Sequence, residues 1–334
     1  GQLEPAIASY QKATEIKPQW AEAYFNIGML LKDKGDVEAA IENYQKVIKI
    51  DPNSAAPYNN IGVALRDAGD HNGAISNIKR ALIIDPNCAE IYNNMGNALS
   101  DKGDHEAAVK NYQKAIKIKP DYADAYTNLG FSQRDLGDLE VAIKSHKEAL
   151  TLNPNHIVSH FNLGMALRDQ GNQNGAIQSY ERAIQIDPKC AAAYNNIGNI
   201  YKDAGKLAIA IDNFQKAIKL DPSYAAAHNN LGISLERQGK TNAAIQSFKL
   251  ASEFDPENPS IRHILAALTG QKTASAPDGF VERLFDDYAV RFDQSLVTHL
   301  KYDVPRLITE LILKHQADTP LSSIMDLGCG TGLA

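Results

Sequence analysis

Two sets of residues have types and spacing suited to chemistry. The first lies in the stretch SSIMDLGCGTGLA, residues 322 to 334, where Ile324, Met325 and Leu327 form a short apolar strand running into a glycine loop. Glycine has no Cβ, so its backbone can pass close to a bound phosphate or cofactor. A Walker loop needs Lys and then Ser or Thr at its end, and no Lys follows Gly332. The dinucleotide pattern G-x-G-x-x-G/A starts at Gly328 and Gly330 but meets Leu333 where a small residue is required. The spacing that fits is D-x-G-x-G-x-G, on Asp326, Gly328, Gly330 and Gly332.

The second set is a row of asparagines, Asn26, Asn60, Asn94, Asn128, Asn162, Asn196 and Asn230, each 34 residues from the next. Asparagine is a mediocre helix former, so its recurrence inside helical sequence needs compensation. One reading is that each side chain bonds to a neighbouring repeat, or is a copy left by duplication. Duplication alone is weakened by drift at the preceding position, which holds Phe25, Asn59, Asn93, Thr127, Phe161, Asn195 and Asn229. The other reading is that the row lines an inner face and binds peptide. A carboxamide has both donors and an acceptor, so it can pair with the N–H and C=O of an extended chain without reading its side chains. Helices pack roughly 8–10 Å apart and an extended chain advances about 3.3 Å per residue, so one rung would meet roughly every third residue.

The elements that position these groups follow from the same period. Pro18, Pro52, Pro86, Pro120, Pro154, Pro188, Pro222 and Pro256 hold the 34-residue step without a slip, as do Ala6, Ala40, Ala74, Ala108, Ala142, Ala176, Ala210 and Ala244. A 34-residue period is that of a helix-turn-helix solenoid. The glycines equivalent to Gly35 mark the turn between two helices by taking positive φ, and each proline stops the second helix. The glycines equivalent to Gly62 fall inside the first helix, where they serve close helix-helix approach. The apolar positions Tyr24, Ile27, Leu30 and Leu31, then Ala40, Ile41, Tyr44, Val47 and Ile48, have the spacing of one buried helix face. One such pair cannot bury its face alone, so neighbouring repeats must stack.

Repeat 89 to 122, with Tyr92, Met95, Gly96, Ala108, Tyr112, Ala115 and Pro120, resembles the tetratricopeptide repeat family. The resemblance implies an all-α right-handed superhelix, with protein or extended peptide bound in its concave groove. A partial repeat at 1–20 contributes a second helix only, with Ile7, Tyr10 and Ile16 lacking a first-helix partner, so further repeats or a cap are expected before Gly1. Seven full repeats follow at 21–258, then a closing helix at 259–268 and a linker at 269–279. Gln133 departs from the family pattern, and His146, His160 and His228 stand at aromatic positions, where packed ring substitutes are expected rather than metal ligands. The asparagine row, with stretches such as AYNNIGN and IYNNMGN, is similar to the peptide-binding repeats of O-linked N-acetylglucosamine transferases. Asp33, Asp67, Asp101, Asp135, Asp169 and Asp203, most of them following Lys or Arg, read as a solvated charged face.

Composition narrows the partners. The net charge is −6, from 34 basic and 40 acidic residues, and no Lys/Arg cluster points to nucleic acid or to an anionic membrane. No run of apolar residues is long enough to span a bilayer. Cys88, Cys190 and Cys329 form no CxxC pair, which argues against a zinc site or a disulfide framework and favours a reducing, cytoplasmic compartment.

The glycine loop resembles the first motif of class I S-adenosylmethionine-dependent methyltransferases, and FDDYAVRFD upstream resembles the helix that precedes it there. That resemblance implies an α/β Rossmann-like domain starting within 280–334. It places Asp326, Gly328, Cys329, Gly330 and Gly332 at the S-adenosyl-L-methionine, with Tyr288 as a further contact. The parent is then a methyltransferase whose repeats recruit a protein substrate. The alternatives are a non-catalytic interaction scaffold and, more remotely, the targeting region of a glycosyltransferase. A first strand of a doubly wound sheet cannot stand alone, so the fragment is expected to be inactive. Calorimetric titration of the 334-residue chain with S-adenosylmethionine should show no tight binding, and tight binding would overturn that expectation.

Overall fold

The computed structural model describes residues 3–269, which hold sixteen helices and no strand. In order these are α1 (Leu3–Ile16), α2 (Ala21–Lys34), α3 (Val37–Ile50), α4 (Ala55–Asp67), α5 (His71–Ile84), α6 (Ala89–Asp101), α7 (His105–Ile118) and α8 (Ala123–Asp135). They continue as α9 (Leu139–Leu152), α10 (Ile157–Asp169), α11 (Gln173–Ile186), α12 (Ala191–Asp203), α13 (Leu207–Leu220), α14 (Ala225–Arg237), α15 (Thr241–Phe254) and α16 (Pro259–Thr269). Two compact units divide between Pro222 and Ser223. The glycine loop at 326–332 and Tyr288 lie outside the described residues.

The turn chemistry is the one the period predicts. Between α4 and α5, Gly69 takes φ 85°, its N–H reaches the Arg66 carbonyl at 2.9 Å, and the N–H of Asp70 reaches the Leu65 carbonyl at 2.8 Å. Orphan carbonyls at the helix end are thereby satisfied. Asp70 then caps α5 by accepting from the Gly73 N–H at 2.9 Å, as Asp36, Asp104 and Asn172 do for α3, α7 and α11. At the far end Asp85, held extended before Pro86, accepts from the Asn87 N–H at 3.1 Å and closes the turn into the next repeat.

The two helices of each hairpin meet at the interior glycine. A Cβ placed on Gly28 would lie 2.6 Å from Tyr44 Cε1, on Gly164 2.6 Å from Tyr180 Cε1, and on Gly130 2.6 Å from His146 Cε1. The alanines beside this contact, among them Ala40, Ala108, Ala142 and Ala176, are fully buried. In the first unit the hairpins stack, α3 on α4, α5 on α6, α7 on α8, α9 on α10 and α11 on α12. The first helices also touch in succession, α4 with α6, α6 with α8, and α8 with α10. Their shared row is the surface on which the asparagines fall. In the second unit α14 packs on α15 and α15 on α16, and Gly232 lies 2.8 Å, by the same measure, from Phe248 Cε1.

The departures from the pattern have physical partners. Gln133 is buried and its Oε1 accepts from the Ser145 hydroxyl at 2.7 Å, so the polar pair replaces an apolar contact inside one hairpin. His146 takes the ring position against Gly130 with no exposed surface. His228 is also buried, 5.7 Å from the ring of Phe254, whereas His160 reaches the Pro154 carbonyl through Nε2 at 2.9 Å. In α1, Ile7 is buried and the helix packs on α2, while Ile16 is exposed.

Gly164→Ala should cost roughly 1–3 kcal/mol in urea denaturation, because the rigid Tyr180 ring cannot yield to a methyl group. A loss below about 0.5 kcal/mol would refute the tight contact. Burial, with a smaller contribution from Arg134, pushes His146 down from 6.5 to about 4. A folded value below the unfolded one means that folding favours the neutral ring. Its contribution is therefore complete above about pH 6.5 and is lost as the pH falls toward 4, to the extent of about 3 kcal/mol. His146→Phe should flatten the stability profile between those limits, as measured by denaturation at stepped pH.

Candidate functional site

The asparagine row is tied together by its own neighbours. Asn94 donates through Nδ2 to Asn59 Oδ1 at 3.1 Å, and Asn128 donates to Asn93 Oδ1 at 3.1 Å and to Asn97 Oδ1 at 3.0 Å. The Tyr112 hydroxyl donates to the same Asn97 oxygen at 2.8 Å. Bonding to a neighbouring repeat is thus realised at Asn94 and Asn128. An amide nitrogen carries two hydrogens, so at Asn128 both are committed within the fold and Oδ1 is the atom left to accept. Asn94 keeps one N–H and its oxygen.

At four of the seven rungs burial separates the asparagine from the residue before it; Phe25, Phe161 and Asn229 are half-buried. Asn59, Asn93 and Asn195 are 5 % exposed and Thr127 is 1 % exposed, whereas Asn26, Asn60, Asn94, Asn128 and Asn196 are half-buried. Asn162 is the exception, being buried. Asn230, half-buried, belongs to the second unit. Asn59, Asn93 and Asn97 accept the inter-repeat bonds, and the sequence pattern marked the first two only as drifting neighbours.

Two depressions open on this face of the first unit. One, about 410 Å³, is lined by the apolar Phe25, Met29 and Ile91 and by the polar and charged Lys32, Asp33, Asn59, Asn60, Asp85 and Glu90. The other, about 290 Å³, lies at α6, α8 and the start of α10 and is lined by Asn93, Asn97, Asp124, Asn128, His156 and Val158. Behind it runs a series of polar contacts. His156 Nε2 lies 3.0 Å from Asp124 Oδ1, His156 Nδ1 2.7 Å from Ser159 Oγ, and Ser159 Oγ 2.6 Å from Thr127 Oγ1. The Thr127 hydroxyl also lies 3.0 Å from the Ala123 carbonyl. Sequence reasoning missed this cluster. The signal was a local break in the repeat: Ser159 stands where the others have Ala23, Pro57, Ile91, Ala125, Ala193 and Ala227.

The charged series is more connected than a solvated face. Arg134 Nε reaches Asp169 at 2.6 Å and Arg66 Nε reaches Asp101 at 3.5 Å, each crossing to the next repeat. Both arginines are only about a fifth exposed (21 % and 22 %). Pairs of this kind contribute modestly to stability, but they fix the edge of the face. Among the described residues no group of three His, Cys, Asp or Glu could hold a metal ion, and no helix is long and apolar enough to cross a membrane. The residues expected at S-adenosylmethionine, Tyr288, Asp326, Gly328, Cys329, Gly330 and Gly332, are outside the described residues.

Comparison with known proteins matches the repeats one by one. The family model described as TPR repeat matches residues 1–33, 28–66, 64–103, 96–133, 164–205 and 198–239, and that described as tetratricopeptide repeat matches 123–156 and 225–258. No curated protein matches the chain. Among solved structures, a tetratricopeptide repeat protein from Parabacteroides merdae is 19% identical with a TM-score of 0.60, covering 75% of this chain and 98% of that one. The Cut9-Hcn1 hetero-tetramer of the APC/C is 17% identical with a TM-score of 0.62, covering 80% of this chain and 53% of that one. At those identities the likeness is one of fold. The MamA protein is 30% identical over 52% of this chain and 94% of its own, with a TM-score of 0.44.

Proposed function

The chain belongs to the tetratricopeptide repeat family, and from that premise we propose that the first-helix face of its first unit binds an extended segment of a partner protein by its backbone. The observation that carries this reading is the pair of bonds from Asn128 to Asn93 and Asn97, which fix the carboxamide before any ligand arrives. A rung already ordered loses little side-chain entropy on binding. Asn128 then offers Oδ1 to a peptide N–H, while Asn94, with one N–H still free, serves both polarities. The remaining rungs, Asn26, Asn60, Asn162, Asn196 and Asn230, extend the row by sequence position.

The C-terminal sequence supplies the second half of the proposal. On this reading the repeats bring a protein acceptor to an S-adenosylmethionine-dependent methyltransferase, with the D-x-G-x-G-x-G spacing of Asp326 to Gly332 as support. S-adenosylmethionine would supply the methyl group there. Unpaired Cys88 and Cys190 agree with a reducing compartment, the cytoplasm in our reading.

The triple variant Asn94→Ala, Asn128→Ala, Asn162→Ala tests the backbone reading. Capture of partner segments should fall by at least about ten-fold, since each lost hydrogen bond is worth about 0.5–1.5 kcal/mol. Helical circular dichroism, recorded alongside, should stay at the wild-type value. Undiminished capture by a folded triple variant would sink the proposal.

A further inference from the structure

The series Asp124, His156, Ser159 has the order of a hydrolytic triad, but it cannot act as one. Ser159 has no exposed surface, and its hydroxyl is enclosed between His156 and Thr127. No substrate carbonyl can reach it. What the series does is orient. The buried hydroxyls hold the imidazole from behind through Nδ1, so Nε2 is directed at Asp124, whose carboxylate is 63 % exposed in the mouth of the smaller depression. Nε2 lies 3.0 Å from Oδ1 of that carboxylate, which leaves Oδ2 to accept from a ligand.

The rest of the lining completes the chemistry. Asn128 has committed both amide hydrogens and keeps Oδ1, and the Asn97 oxygen is occupied by Asn128 and Tyr112. The Asp124 carboxylate and the Asn128 oxygen face this depression as acceptors, the first of them charged, and the carboxamides of Asn93 and Asn97, whose oxygens are taken, line it with their Nδ2 donors. A carboxylate entering it would meet Asp124 at close range. An apolar group would bury the Asn128 oxygen without a partner, at a cost of roughly 1–3 kcal/mol, and would desolvate the Asp124 carboxylate at a greater one. An ammonium or guanidinium, with donors and no acceptor, satisfies both oxygens. Glu90 and Glu22 occupy the position of Asp124 in earlier repeats and extend the same sign of charge along the row.

We propose that this depression is a subsite for a lysine or arginine side chain of the bound segment. In the larger depression, two repeats away, the wall of Phe25, Met29 and Ile91 takes an apolar side chain of the same segment, with Lys32, Asp33, Asp85 and Glu90 around it. The inference rests on the backbone-binding reading above. At roughly 8–10 Å per layer and about 3.3 Å per residue, the two side chains are some five or six residues apart.

The test uses the full chain and fluorescein-labelled dodecapeptides of alternating Ser and Ala that carry Leu and, five or six positions away, Lys, Glu or Ser. By fluorescence anisotropy the Lys peptide should bind at least about ten-fold tighter than the Glu peptide. Asp124→Asn should shrink that ratio to below about three-fold and leave the Ser peptide's affinity unchanged. Equal affinity for Lys and Glu peptides, or a preference that survives Asp124→Asn, overturns the subsite; binding of the Ser peptide then keeps the backbone reading standing. If the wild-type chain binds none of the three, the backbone reading falls and the subsite with it.

Discussion

The closest approach in each hairpin, an interior glycine laid against a slim buried side chain that is a flat ring in all but one, is the contact on which everything else depends. It sets how near the two helices come, and the small alanines beside it exist to permit that distance. The ring need not be a benzene ring. His146 fills the position against Gly130 and Ile78 fills it against Gly62. What the site demands is a slim, buried side chain opposite a residue without a Cβ. Because the same contact recurs at one place in each repeat, successive first helices of the first unit arrive side by side in one orientation. The asparagine row is a consequence of that regularity.

Much of this was legible before any coordinates. A proline every 34 residues, a turn glycine at fixed offset and an interior glycine inside the first helix give the hairpins, their ends and the place of their close contact; the ring opposite that glycine is seen only in the structure. Gly69 and its equivalents take the positive φ that the turn requires. Gln133 was visible as an anomaly, but its partner Ser145 was not, since a hydroxyl twelve residues away has no claim on it until the hairpin closes. The charged series was read from alternation alone, and alternation does not reveal that Arg134 crosses to Asp169 of the next repeat.

The polar core of the candidate site was illegible for a more basic reason. Asn128 meets Asn93 and Asn97 across separations of 35 and 31 residues, and the direction of each bond depends on where two hydrogens go. A repeat pattern says that an asparagine is present; it does not say which of its atoms the fold has already used. The cluster at Asp124, His156, Ser159 and Thr127 arises from substitutions scattered over two repeats, each of them unremarkable alone. Irregularities, and not the repeated residues, distinguish one part of this face from another.

The commitment of both Asn128 hydrogens has a consequence for motion along the face. On either edge of an extended chain N–H and C=O groups alternate, so sliding the chain by a fraction of its repeat exchanges a donor for an acceptor opposite any fixed point. A freely turning carboxamide would follow the exchange by flipping and let the chain creep. Asn128, pinned by its neighbours, meets the incoming carbonyl with its own lone pairs and resists. On the proposed backbone reading the rung would work as a pawl: indifferent to which side chains pass, it would set the phase at which the chain stops.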